Sequence, residues 1–93
     1  MKVSEELQLQ ISKINNIALQ RYLFKSGWKI EFFKTGDMKK DIIAYQRHDY
    51  MQKLRVPLVH NFSYDKLMIA VVKELSIYEK RSIQDILDDI KNN

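Results

Sequence analysis

His48 and His60 carry the only imidazoles of this 93-residue chain, so acid–base chemistry near neutral pH would have to start with them. Asp49 follows His48 directly, and a histidine with a carboxylate is the pair of types that a general base and its orienting group would use. The spacing works against that use, because adjacent residues of a strand point to opposite faces. Both histidines are therefore expected on the surface without a catalytic part. Asp85, Asp88 and Asp89 are the densest carboxylates. Their three- and four-residue steps put them on one side of a helix, opposite its apolar stripe, where a solvated face is expected. The chain has no cysteine, which removes disulfides, thiolate metal sites and thiol nucleophiles together. Two histidines without a tight carboxylate cluster give no metal-ligand spacing. No phosphate-cradling glycine loop and no nucleophile elbow occurs. The residue types point to a protein that binds rather than one that catalyses, with no cofactor and no metal.

Binding chemistry is better represented. The net charge of +4 is uneven along the chain. Residues 21–60 hold nine Lys/Arg against four Asp/Glu, while residues 61–93 are slightly acidic. A basic centre suits an acidic protein or a nucleic acid, or simply a solvated lysine-rich surface. Lys29, Lys34, Lys39, Lys40, Lys53 and Arg55 are the candidate cations, interrupted by Glu31, Asp37, Asp41 and Asp49. Most aromatic residues fall on core periods. Phe33, Tyr50 and Trp28 stand apart, since aromatic rings among cations are how single strands are held.

The elements that must position these residues follow from periodicity. Ser4 before Glu5 and Glu6 is a helix start. Leu7, Ile11, Ile14, Ala18 and Tyr22 recur on one face, which predicts a helix over residues 5–26, with a weak point at Asn15. Gly27 ends it. Trp28, Ile30 and Phe32 alternate with Lys29, Glu31 and Phe33 as a strand does. A second strand is expected near residues 41–47 and a turn over His48 to Gln52. A third strand carries Leu54, Val56 and Leu58, with Pro57 marking an edge or an end. Ser63 opens a long helix, with Phe62 expected to staple onto Leu67. Ser82 starts a short last helix whose apolar face is Ile83, Ile86, Leu87 and Ile90. The order α-β-β-β-α-α predicts one α+β domain over residues 1–93: a three-stranded antiparallel sheet with helices on one face.

Helices on one side leave the other side bare. The predicted inner face is Trp28, Ile30, Phe32, Ile43, Tyr45, Leu54, Val56 and Leu58. The predicted outer face carries Lys29, Glu31, Phe33, Gln46, Lys53 and Arg55, and is the candidate binding surface. No apolar run is long enough for a membrane span, and the acidic start is unlike a signal peptide, so a cytoplasmic location is expected.

Two resemblances accompany this pattern. Tyr22-Leu23, Gly27-Trp28, Tyr45 in a strand and Leu54-Arg55-Val56-Pro57-Leu58 before a helix resemble HicA-type toxins, over about residues 19–75. That resemblance implies a double-stranded-RNA-binding-like fold. Those ribonucleases carry their catalytic histidine in a Gly-Ser-His-His segment, where this chain reads Lys40-Asp41-Ile42-Ile43. It therefore implies the fold without the ribonuclease, unless His48 or His60 substitutes. Arg21-Tyr22-Leu23, Gly27-Trp28, Val56-Pro57, Phe62 with Tyr64-Asp65, and Glu79-Lys80-Arg81-Ser82 running into Ile86-Leu87-Asp88-Asp89-Ile90 resemble an N-terminal module of uncharacterised bacterial proteins. This second resemblance covers about residues 20–90 and implies a bacterial module of a longer chain. The expected function is an interaction module whose partner is a protein or a second copy of itself. RNA or DNA binding through the basic centre is the alternative.

Overall fold

In the computed structural model, which describes residues 3–31, 42–60 and 62–92, four helices and three strands follow one another in the order α-α-β-β-β-α-α. The elements are α1 Glu5–Ser12, α2 Asn16–Lys25, β1 Lys29–Ile30, β2 Ile42–Arg47, β3 Tyr50–Pro57, α3 Tyr64–Glu79 and α4 Ile83–Lys91. The α+β class and the one-sided layering are as expected.

The first helix is two helices. Ser4 caps α1, its hydroxyl accepting from Leu7 N–H at 3.2 Å. Ser12 then bonds back to the Leu9 carbonyl at 2.8 Å, and Asn15 offers Ile17 N–H a carboxamide oxygen at 2.7 Å. A side chain that caps a new helix ends the old one, because it replaces the backbone acceptor. The break turns the chain while keeping Ile11 and Ile14 in the core and adding Leu19 and Leu23 to it.

Gly27 closes α2 with a positive φ of 91°. Its N–H donates to the Phe24 carbonyl at 3.2 Å, and Trp28 N–H donates to Leu23 at 3.0 Å. This paired reach back over the last turn needs the left-handed conformation that glycine takes without penalty. A Cβ at residue 27 would also come within 2.5 Å of Arg47 Nη1. Arg47 cannot simply swing away, since it donates to the Ser26 carbonyl and to Asp49. Gly27→Ala is therefore expected to cost about 1–2 kcal/mol. For a domain of this size that lowers the melting temperature by about 5–15 °C, readable by circular dichroism. An unchanged melt would mean that the turn is less constrained than described.

The sheet runs β1-β2-β3, antiparallel throughout. Ile30 opposes Tyr45, Tyr45 opposes Leu54, and Ile43 opposes Val56, so these residues share the inner face. Trp28, Tyr45, Leu54 and Val56 are buried there. Ile43 is partly buried against the core, and two other expected core residues are exposed. Ile30 is 44% exposed because β1 is the edge strand away from α3, the helix that packs on β3. Leu58 is 38% exposed because the strand has ended at Pro57. Phe32 lies outside the described residues. The expected turn over residues 48–52 is shorter, since only His48 and Asp49 turn and β3 begins at Tyr50. Neither turn residue has a positive φ, so the hairpin lacks the backbone twist that fits two-residue loops best. A register shift between Tyr45 and Arg47 accompanies it.

α3 lies on the inner face, and α1, α2 and α4 close over it. Tyr64, Met68, Val71, Val72 and Leu75 of α3 meet Ile83, Ile86, Leu87 and Ile90 of α4 in a single core cluster. Ser82 caps α4 as expected, accepting from Asp85 N–H at 3.1 Å. The expected staple at the start of α3 is not formed. Phe62 is 98% exposed and Ser63 makes no side-chain cap bond.

Candidate functional site: the open side of the sheet

Opposite the helices, the register places Lys29 against Gln46 and Ala44 against Arg55. Glu31 joins them through its N–H, which donates to the Ala44 carbonyl at 2.9 Å. Lys29, Gln46, Lys53 and Arg55 are exposed around the small, buried Ala44. Lys53 Nζ is paired with the Glu31 carboxylate. Lys29 and Arg55 have no ion-pair partner among the described residues. Three of the seven sequence-derived site residues, Lys29, Lys53 and Arg55, are thus brought onto one face. Phe33, Lys34, Lys39 and Lys40 lie outside the described residues.

The same face runs out to an unpaired edge. β3 pairs with β2 on one side, and among the described residues no strand pairs with its other side. A groove of about 210 Å³ follows that edge, between β3 and α3. Its β3 wall includes Lys53, Leu54 and Arg55, and its α3 wall Leu67, Ala70 and Val71.

Two of the three aromatic candidates, Trp28 and Tyr50, belong elsewhere. Trp28 is 1% exposed, at the centre of a three-ring cluster with Tyr50 and Tyr78. All three rings meet edge to face, at centroid distances of 5.1–6.0 Å. The Arg47 guanidinium covers Tyr78 at 5.1 Å and Trp28 at 5.9 Å. Trp28 and half-buried Tyr50 are therefore packing residues and not stacking platforms. Sequence reasoning missed Arg47, which it counted only as charge. The available signal was Arg47 and Asp49 flanking one turn residue, close enough for one side chain to grip the other.

That grip also settles the His48–Asp49 pairing. Asp49 accepts from Arg47 Nε at 2.9 Å and from the Tyr78 hydroxyl at 2.7 Å. The Arg47 bond first, and the Tyr78 bond second, hold its carboxyl down at about 2. The carboxylate is committed to structure rather than to His48. His60 stacks its ring on Tyr64 at 3.7 Å. Asp88 accepts from Gln84 and Asp89 pairs with Arg81 at 2.7 Å. Among the described residues no group of three or more His, Asp and Glu is placed to hold a metal ion.

A second network ties α2, α3 and α4 together on the helical side. Tyr22 donates to Glu79 at 2.5 Å, and Arg81 reaches Tyr22, Glu79 and Asp89 at 2.7–3.0 Å. Burial, followed by the Glu79 bond, pushes the Tyr22 phenol up to about 12. Tyr50 is pushed up to about 12 as well, first by its bond to the Glu74 carboxylate and then by burial. Tyr45, Tyr64 and Tyr78 are also raised, so every tyrosine of the chain is shifted the same way. A phenol whose folded value exceeds its unfolded value near 10 contributes stability that is complete below pH 10. That contribution is lost as pH rises from about 10 toward 12. Alkaline titration is expected to show phenolate absorbance appearing above pH 10, together with loss of the circular dichroism signal. A tyrosine titrating freely near pH 10 in the folded chain would contradict the hydrogen bonds described.

No family model matches the chain, and neither does any curated protein or solved structure. No helix among the described residues is long and apolar enough to cross a membrane.

Proposed function

We propose that the chain is a non-catalytic interaction module that docks a partner protein on the open side of its sheet. One observation carries this reading: the helices all lie on the inner face, leaving Lys29, Gln46, Lys53 and Arg55 exposed on the other, continuous with the unpaired edge of β3. Exposed sheet edges and faces are standard sites for recruiting an extended partner segment.

RNA or DNA binding is the second reading, and Lys29 and Arg55, exposed and without ion-pair partners among the described residues, favour it. It is weaker on two counts. Glu31 lies beside Lys53 on the face and neutralises it, and two of the rings that would stack bases, buried Trp28 and half-buried Tyr50, are packed against each other and Tyr78. A ribonuclease reading has little support, since Asp49 is held by Arg47 and Tyr78.

The test is photo-crosslinking in the cells that make the protein. A photoreactive residue would replace Lys29, Gln46 or Arg55 on the open face, and Gln8 or Asp85 on the helical side. Protein adducts from the first three positions, absent from the last two and insensitive to nuclease, are expected. Nuclease-sensitive adducts would replace this reading with the second. Equal adducts from both sides would remove the open face as the docking surface.

A further inference from the structure

We infer that the groove between β3 and α3 receives an extended segment of a partner protein in which apolar and acidic residues alternate, added as a fourth strand along β3. This rests on the interaction-module reading above and specifies its partner.

Three observations support it. The first is the backbone. β3 is an eight-residue edge strand, and an antiparallel neighbour on one side uses only half of its N–H and C=O groups. The outward half points along the groove, except at Pro57, which has no N–H to offer. The second is the shape of the groove. A strand laid about 4.8 Å from β3 points successive side chains to opposite faces of the sheet. Those on the helix side meet Leu67, Ala70 and Val71, which form an apolar wall. Those on the other side emerge beside Lys53 and Arg55.

The third observation is charge. Arg55 has no ion-pair partner among the described residues, and Lys53 has one carboxylate for company. An acidic residue on the incoming strand would answer Arg55 directly. A second copy of β3 would instead bring its own Lys53 and Arg55 against the same pair, and like charges across a strand pair repel. Cations on an edge are also a known guard against pairing with just any strand. At the far end of the groove Glu74 is held by the Tyr50 hydroxyl. The partner's acidic side chains therefore belong at the Lys53–Arg55 end.

The experiment uses the full chain, isotope-labelled, with blocked synthetic peptides of about six residues. One alternates Glu and Val, and one alternates Lys and Val. The Glu/Val peptide is expected to slow amide exchange at every second residue of β3, and to bind about tenfold tighter than the Lys/Val peptide. Arg55→Glu should reverse that ranking. Ala70→Arg, at an exposed position of the α3 wall, should abolish binding of both peptides while leaving the melt unchanged. Shifts confined to Lys29, Glu31 and Gln46, with β3 amides unaffected, would overturn strand addition while leaving the open-face reading intact. Binding of neither peptide would overturn it too, whatever the crosslinking shows. Protection of β3 in the chain alone, with a doubled mass, would place a second copy in the groove and overturn it as well.

Discussion

Trp28→Ala is expected to remove about 3–5 kcal/mol of stability, a large part of the roughly 5–15 kcal/mol that a domain of this kind possesses. Trp28 is 1% exposed and touches Tyr50, Tyr78 and Arg47. Removing the indole withdraws about 150–250 Å² of buried ring and leaves a cavity between α3, β3 and the hairpin. It also takes away one of the two rings under Arg47, the side chain that fastens Ser26 to the hairpin turn. A fall in melting temperature of about 12–40 °C should follow. Trp28→Phe separates volume from hydrogen bonding. The indole Nε1 has no hydrogen-bond partner among the described residues, so phenylalanine loses ring area but no bond. It should cost well under half as much. Equal effects of the two substitutions would mean that the indole N–H has a partner after all.

A chain ended after Lys80 is expected not to fold. α4 looks dispensable, being nine residues long and last in order. Yet Ile83, Ile86, Leu87 and Ile90 are all at most 5% exposed, and α4 packs against α1, α2 and α3. Each buried Ile or Leu is worth about 2–5 kcal/mol against alanine, so losing four removes about 8–20 kcal/mol, which is as large as the whole stability of about 5–15 kcal/mol. Leu87→Ala alone should keep the fold and lose about 2–5 kcal/mol, seen as a lower denaturant midpoint with an unchanged slope. The truncated chain should melt without a cooperative transition. A sharp transition from it would show that α4 is an appendage rather than part of the core.

The elements were legible where one local signal sufficed. Gly27 after a helical stripe, Ser82 three residues before Asp85, and the four apolar residues of α4 needed no tertiary information. Misplaced features are those decided by what lies across from them. Ile30 has the alternation of a core residue, but its burial depends on how far α3 reaches across the sheet. Phe62 precedes a helix as a staple residue would, yet it is 98% exposed. The break at Asn15 was marked by its capping chemistry, although the stripe from Leu7 to Tyr22 runs through it. Met51 and Gln52 read as turn residues because they are polar or flexible, while Tyr50 is drawn into the strand by Trp28, Tyr78 and Glu74. For the site, alternation alone placed Lys29, Lys53 and Arg55 on one face. The Lys53–Glu31 pair was not visible that way, because it depends on the register of three strands.

The claim common to the proposed function and to its partner is that the open side of the sheet is left free by the chain itself. Light-scattering mass of the purified chain at low and at high salt, with the ultraviolet spectrum recorded on the same peak, tests this most directly. The expected result is the 11.2 kDa monomer in both salts with a protein-like spectrum. A salt-resistant dimer would mean that a second copy occupies the surface. A nucleic-acid spectrum lost only at high salt would mean that the basic face serves phosphates.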